Sequence, residues 1–499
     1  MTLRTVDERE PLLRASDLSN DLHKTISISK VEEVGDYENP QKWPSSFKWL
    51  VTSLLFFMAF TVTFNCISPM PIASRIIEDL NDGRPNRYAT VLLVTIWEFG
   101  EAAGPLIIAP LSEMYGRYPV INICSVFFVM ATALGAVAQT APVMIISRAL
   151  SGLMVTSNVL GPAIVGDIFE PEQRGSPMSL VMLAPLIGGA IGPALSGYIA
   201  ESLHWRFVIW MNVILTSSCA VLFIICLKET YHAAIIKKKE RLLHKASRQA
   251  TRLEANDEVE EVKSEESQNG LMESIVRPAA ILSSSGILVA LALPGAIAYA
   301  HYYNITTTMP DILQNIYGLS APQIGISLFS FSIGSIASVM LCNLTLDKIY
   351  ATMKAANGGV GLPEFRLPIC IFGALALPLT IGLYGWTAEL QLPLYMVLIS
   401  VGLIGMAMLA VEIPLAAYIV DAFGDYSASA MTGLVVIRCL AGTFLPLGAA
   451  PLIDIFSYGW GFTILALITL ALAPIPILVM QHGQEWRQRS VYTRLDPDQ

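Results

Sequence analysis

Runs of about twenty apolar residues recur twelve times between residues 49 and 480. Each is long enough to cross the roughly 30 Å hydrocarbon core of a bilayer as a helix rising about 1.5 Å per residue. They fall at about 49–68, 88–110, 119–138, 143–168, 178–200 and 206–227, then at about 280–303, 323–344, 368–387, 393–418, 428–450 and 460–480. No water is present in hydrocarbon to satisfy open backbone groups, so runs of this length predict helices. The fold class expected is an all-α membrane protein with twelve transmembrane helices in two sets of six. Only 14% of the 499 residues are charged, against about 25% in an ordinary soluble chain, so lipid is the expected main solvent.

The intervening segments set the domain plan. Residues 1–47 are polar and poor in aromatics and predict a disordered cytoplasmic tail. An amino-terminal six-helix bundle is expected over 48–227, a charged cytoplasmic linker over 228–277, a second bundle over 278–481 and a cytoplasmic tail over 482–499. The linker is basic at first (KKKERLLHKASR) and then acidic (EANDEVEEVKSEE), and it holds too little apolar surface to fold alone. The formal net charge of -9 lies largely in the tail and this linker. It carries no partner signal, and nothing points to nucleic acid.

The amino terminus has no early apolar core of a cleavable signal, so the first span is expected to direct its own insertion. Basic residues near the span ends place both termini in the cytoplasm, with Lys42, Lys48, Arg117, Arg174, Lys228, Lys348, Lys354, Arg366 and Arg487 inside. Arg75, Arg84, Arg87 and Arg206 form the smaller outer set. Seven scattered cysteines lack the spacing of a metal site or a disulfide scaffold, and six histidines fall in tails, loops and span ends. No metal, no cofactor and no catalytic cluster is expected, and hence no enzyme.

Charge inside the apolar runs is the functional signal. A carboxylate in hydrocarbon costs roughly 3 kcal/mol or more, so such groups face a bundle interior or a watery cavity. Glu98 and Glu101, three residues apart, share one helical face. Glu412 precedes Pro414 in the tenth span, Arg148 lies in the fourth and Arg438 near the middle of the eleventh. Arg stays charged, so each arginine needs an anionic neighbour or an anionic substrate. The first span holds no carboxylate, only Asn65. Phe64, Trp97, Tyr299, His301, Tyr302 and Asn304 are further candidates for a cavity wall. Asn304-Ile-Thr306 matches a glycosylation acceptor but abuts the outer end of the seventh span.

The second span ends in Pro110-Leu-Ser-Glu-Met-Tyr-Gly-Arg117. Gly116 suits a tight turn, while Glu113 and Arg117 are placed to hold neighbouring helix ends. This segment resembles the loop between the second and third helices of the major facilitator superfamily, with Leu111, Gly116 and Arg117 matching and Glu113 where Asp is usual. Leu344 to Tyr350, with Asp347 and Lys348, resembles a degenerate second copy. Gly188, Gly192, Pro193 and Gly197 in the fifth span resemble the motif of the antiporter branches. Asn39-Pro-Gln-Lys-Trp43, Gly166 to Gly175, Lys228 to Tyr231, Gly361 to Pro368 and Asp421 to Ala430 are similar to segments of the fungal twelve-span drug:proton antiporters.

The resemblance implies two pseudo-symmetric six-helix bundles in the major facilitator fold, a monomer that takes up its substrate from alternate sides of a lipid bilayer. It implies a proton-coupled secondary transporter that exports a small organic molecule: a secondary metabolite, an organic acid such as a dicarboxylate, or a drug. The partners are then a small-molecule substrate and protons, with Glu98, Glu101 or Glu412 as the proton carrier. Arg148, Arg438, Asn65, Trp97, His301 and Tyr302 are the substrate-binding candidates. The arginines and His301 favour an anion; the acids, including Asp167, favour a cation. A facilitated importer of a nutrient is the alternative. The plasma membrane is the expected location for this multi-pass chain. Glu8 to Leu13 resembles an acidic dileucine signal, by which Leu12 and Leu13 would engage sorting adaptors and direct the chain to a vacuolar membrane instead.

Overall fold

The computed structural model describes residues 39–170, 173–232, 234–236, 280–488, 490 and 493. The sorting signal at Leu12 and Leu13, most of the expected tails and linker residues 237–279 lie outside them. Among the described residues there are helices and loops and no strand.

In the first half the apolar runs form α1 (Ser45–Ile67), α2 (Arg87–Tyr115), α3 (Arg117–Ala136), α4 in two pieces (Ala141–Leu153 and Ser157–Ile168), α5 (Gly175–Ser202) and α6 (Trp205–Cys226). The second half holds α7 (Gly286–Asn315), α8 in two pieces (Ala321–Ser327 and Phe329–Ala356), α9 (Leu367–Glu389) and α10 (Leu394–Phe423). The last two spans run together as Ser427–Leu472 and Pro474–Gln488. Among the described residues, eleven helical stretches are therefore long and apolar enough to cross a membrane, the last of 62 residues. That stretch is broken at Ser457, whose φ of 65° is left-handed and cannot continue a helix. The arm before Ser457 is α11 and the arm after it α12, which gives the twelve expected crossings.

The seventh span is displaced from its expected place at 280–303 to Gly286–Asn315. His301, Asn304, Thr306, Thr307 and Thr308 depress the apolar signal, yet all five are buried within the protein rather than in lipid. Thr307 and Thr308 donate to the carbonyls of Tyr303 (2.8 Å) and Asn304 (2.7 Å) one turn back, so the helix absorbs its own polar side chains. Asn304 is only 2% exposed in mid-helix, which removes it as a glycosylation acceptor.

Packing repeats with a shift of six spans. In the first half α1 lies on α5, α2 on α4 and α3 on α6. In the second α8 lies on α10, α7 meets α11 where Tyr299 and Tyr303 flank Gly442, and α9 meets α12 through Tyr384 and Phe462 at 4.9 Å. Large apolar side chains left exposed on α3 (Phe127, Met130), α6 (Ile214, Ile225) and α9 (Phe372, Leu379) form the face toward lipid. Across the halves α2 runs along α11 and α5 meets the start of α8. The central helices of both halves are thereby left facing one another.

Candidate functional site

Between the halves, at mid-depth of the spans, lies a cavity of about 270 Å³. Its walls come from α1, α2, α4 and α5 on one side and α7, α8, α10 and α11 on the other. Trp97, Tyr299, Tyr302, Tyr303 and Phe331 supply aromatic surface; Glu98, Glu101 and Arg438 are its charged lining residues. Pro185 and Pro193 bring α5 to the same wall. Helical periodicity explains the set: residues three and four apart share a face, which puts Glu98 with Glu101 and Tyr299 with Tyr302 and Tyr303.

The two acids differ in their surroundings. Both oxygens of Glu101 are engaged, by Trp97 Nε1 at 3.0 Å and Asn158 Nδ2 at 2.5 Å. Glu98 accepts one bond, from the Tyr303 hydroxyl of the opposite half at 2.5 Å, and its Oε2 is buried without a partner. Arg438 stacks 4.4 Å over the Tyr299 ring and reaches Glu412 at 3.8 Å. The cation on the cavity wall is thus already matched by an acid and an aromatic face.

Arg148 does not reach the cavity. It is buried behind Trp97, 4.7 Å over that ring, and donates to the carbonyls of Asn65 (2.9 Å) and Cys66 (2.5 Å). These are among the last carbonyls of α1, which have no partner within their own helix and carry its negative dipole end. Carbonyls and a ring face therefore hold Arg148 where the sequence suggested an anion. The Asn65 side chain donates to Thr132 at 3.0 Å and also lies off the cavity. His301 points into the second half, with Nε2 2.8 Å from Thr469 Oγ1 and Nδ1 3.3 Å from Asn304 Nδ2. Of the six substrate-binding candidates, Arg438, Trp97 and Tyr302 line the cavity and Arg148, Asn65 and His301 do not.

Ion pairs close the helix ends within each half on the face that carries the turn at Gly116. Arg117 Nε lies 3.3 Å from Asp167 at the end of α4, and its ring neighbour is Tyr231 at 4.9 Å. Glu229, just after α6, accepts the backbone N–H groups of Arg117 (2.8 Å) and Tyr118 (3.2 Å). Gly116, with φ 98°, is required here, because a Cβ would meet that carboxylate. Glu113 is exposed, and the acids at this turn are Asp167 and Glu229. In the second half Asp347 meets Arg366 Nη1 at 2.6 Å, and Asp421 meets its Nε at 2.9 Å. Arg487 grips buried Glu364 with two bonds of 2.9 and 3.1 Å.

At the opposite end the ties run across the halves. Arg87 pairs with Asp454, and Ser74 donates to Asp311 at 3.1 Å. A Cβ at Gly197 would strike the Ala321 carbonyl, and one at Gly325 the Pro193 carbonyl. The motif in α5 is divided in use: Gly188 and Gly192 lie against Phe60 and Phe64 of α1, while Pro193 and Gly197 face α8.

Residues 54–446 match the family model described as Major Facilitator Superfamily. The chain belongs to that superfamily. It is a multi-pass membrane transporter with the major facilitator fold. Among its relatives, the MFS transporter cpaT of Aspergillus oryzae is 30% identical over 472 residues, covering 93% of this chain and 94% of that one. The efflux pump radE of Floropilus chiversii is 28% identical, covering 91% and 83%. Among solved structures, the xylose transporter XylE of E. coli superposes with a TM-score of 0.62 at 15% identity, covering 88% and 98% of the two chains. At that identity the likeness shows the fold alone.

In this major facilitator chain, sequence reasoning passed over Tyr303, Asn158 and Glu229. Tyr303 stands four residues after Tyr299, a spacing that places both on one face. Asn158 and Glu229 sit 57 and 112 residues from their partners Glu101 and Arg117, and no local pattern announces such pairs.

Proposed function

We propose that the protein is a proton-coupled exporter of a small organic molecule. In this reading the bundles 48–227 and 278–481, joined by the cytoplasmic linker 228–277, rock about the central cavity in the plasma membrane. One observation carries it: buried Glu98 and Glu101 share the wall of a mid-membrane cavity whose lining cation, Arg438, is already paired with Glu412. Carboxylates sheltered in this way carry charge that a proton or a substrate group must compensate, so the two compete and the inward proton gradient drives the substrate out. Glu98, with one oxygen unpartnered, is the proton carrier in this scheme. Glu412 serves as the fixed counter-ion of Arg438, and Arg148 secures the end of α1.

The antiporter-type motif in α5 and the fungal efflux pump among the relatives support export. With both termini inside, the cross-half ties are extracellular, and the arrangement is the inward-facing state. The test has two stages. Comparing secreted and retained metabolites of a deletion strain with its parent identifies the cargo. Flux of that cargo is then measured in reconstituted vesicles under an imposed pH difference. Flux that responds to the gradient, and ceases to respond in Glu98→Gln, supports the reading; flux indifferent to the gradient refutes it.

A further inference from the structure

Two cavities lie one above the other along α7. The central one is walled by Tyr299, Tyr302 and Tyr303; a second, outer one of about 200 Å³ is lined by Asn304, Thr307, Thr308 and Asp311 together with Thr90 and Val91 of α2. In the layer between them the halves touch through two hydrogen bonds. Thr443 of α11 lies 3.4 Å from the Thr95 carbonyl, a long and weak contact. Tyr303 of α7 donates to Glu98 of α2 at 2.5 Å.

The Tyr303 hydroxyl belongs to one half and its acceptor to the other, so opening the outer end must break this bond. A phenol donating to an ionised carboxylate holds roughly twice as strongly as one donating to a neutral acid. The strength of the tie between the halves therefore depends on whether Glu98 carries a proton. Stacking fixes the phenol in place, with Tyr302 at 5.1 Å and Tyr299 at 5.6 Å.

We propose that Tyr303 is the positioning residue through which the proton on Glu98 controls the outer closure. With Glu98 ionised and the cavity empty, the charge-assisted bond keeps the outer end shut and the unloaded carrier cannot turn over. A proton on Glu98 weakens the bond and frees the halves to move. A substrate donor arriving at the unpartnered Oε2 draws on the same carboxylate and loosens the tyrosine in the same way. This inference rests on the proton-coupled reading above and adds to it the residue that converts protonation into movement. An antiporter needs such a device, because a carrier that moves empty and deprotonated dissipates the coupling.

The groups facing Glu98 are Glu101 on its own helix, Tyr299, Tyr302 and Tyr303 from α7, Arg438 and Cys439 from α11, and Cys66 from α1. The experiment therefore changes Glu98 and Tyr303 separately. Spin labels at Arg84→Cys and Leu390→Cys, both on exposed outer loops of opposite halves, report the outer opening of the purified full-length protein by pulsed distance measurement between pH 5 and pH 8, with no substrate required. In the parent the short distance dominates at pH 8 and a longer one grows as pH falls. Tyr303→Phe keeps the stacked ring and removes the bond; it is expected to raise the long-distance population at pH 8 by about three- to tenfold and to flatten the pH response. Glu98→Gln, whose neutral amide also accepts from the tyrosine, is expected to flatten the response as well. A Tyr303→Phe profile identical to the parent overturns the role of the tyrosine while leaving proton coupling intact. A parent that ignores pH, together with vesicle flux that ignores the gradient, overturns the proton reading itself and the inference with it.

Discussion

The two ends of the molecule are held by opposite kinds of contact. At the end that carries the turn at Gly116 the ion pairs of Arg117, Arg366 and Arg487 each close within one half. At the opposite end Arg87–Asp454, Ser74–Asp311 and the tight approach of α5 to α8 join one half to the other. The first kind keeps each bundle rigid. The second decides how the bundles sit relative to one another. A transporter that works by rocking needs both, because a movement is transmitted only if the moving parts do not deform.

The largest effect is expected where the outer approach is closest. Gly325→Leu places a side chain against the Pro193 carbonyl and obstructs the outer closure, while the interior of each bundle is left as it is. Export should fall at least a hundredfold, while thermal stability of the purified protein changes little. Loss of folded protein instead would show that α5 and α8 belong to one rigid body. Next come the ties within the halves. Arg117→Ala strips a partner from Asp167, with side chains 10% and 19% exposed, and is expected to destabilise by about 2–3 kcal/mol. Arg366→Ala removes bonds to acids that are 87% and 33% exposed and should cost under about 1 kcal/mol. Thermal unfolding in detergent checks the ranking, and equal losses would deny that the first-half clasp is the stronger.

A subtler contrast lies between Glu412, the counter-ion behind Arg438, and Glu101 on the cavity wall. Glu412→Gln leaves Arg438 short of its counter-ion and should lower stability while the flux still follows the pH gradient. Glu101→Gln is expected to keep its bond from Trp97 and alter flux by a few-fold only. The smallest effect is expected for Arg87→Ala. Its ion pair with Asp454 is solvent-exposed, so the outer-open population should rise no more than about twofold. The same spin-label distance measures it.

How much of this was legible in the chain varies with the range of the interaction. Glu98 and Glu101 could be assigned to one face because three residues of helix fix their relation. Gly116 and Arg117 marked a tight helix end for the same reason. Arg148 was legible as an intramembrane charge, but its acceptors are carbonyls of α1 more than 80 residues away, and backbone groups leave no mark in a sequence. His301 read as a cavity residue, yet its rotation about α7 turns it to Thr469. Tyr303 was overlooked beside Tyr302 for a related reason: the two differ by one helical step of about 100°, and only the packing of α7 on α2 says which of them meets the acid.

The succession of membrane crossings and the presence of a few costly charges were determined by the sequence alone, since hydrophobic length and the expense of charge in lipid act residue by residue and need no fold to be evaluated. The tertiary structure decided which charges face each other, which helix ends are capped from afar and which end of the molecule is shut. Those outcomes depend on distances between helices far apart in the chain, and a hydrogen bond across 205 residues exists only once the packing has brought Tyr303 to Glu98.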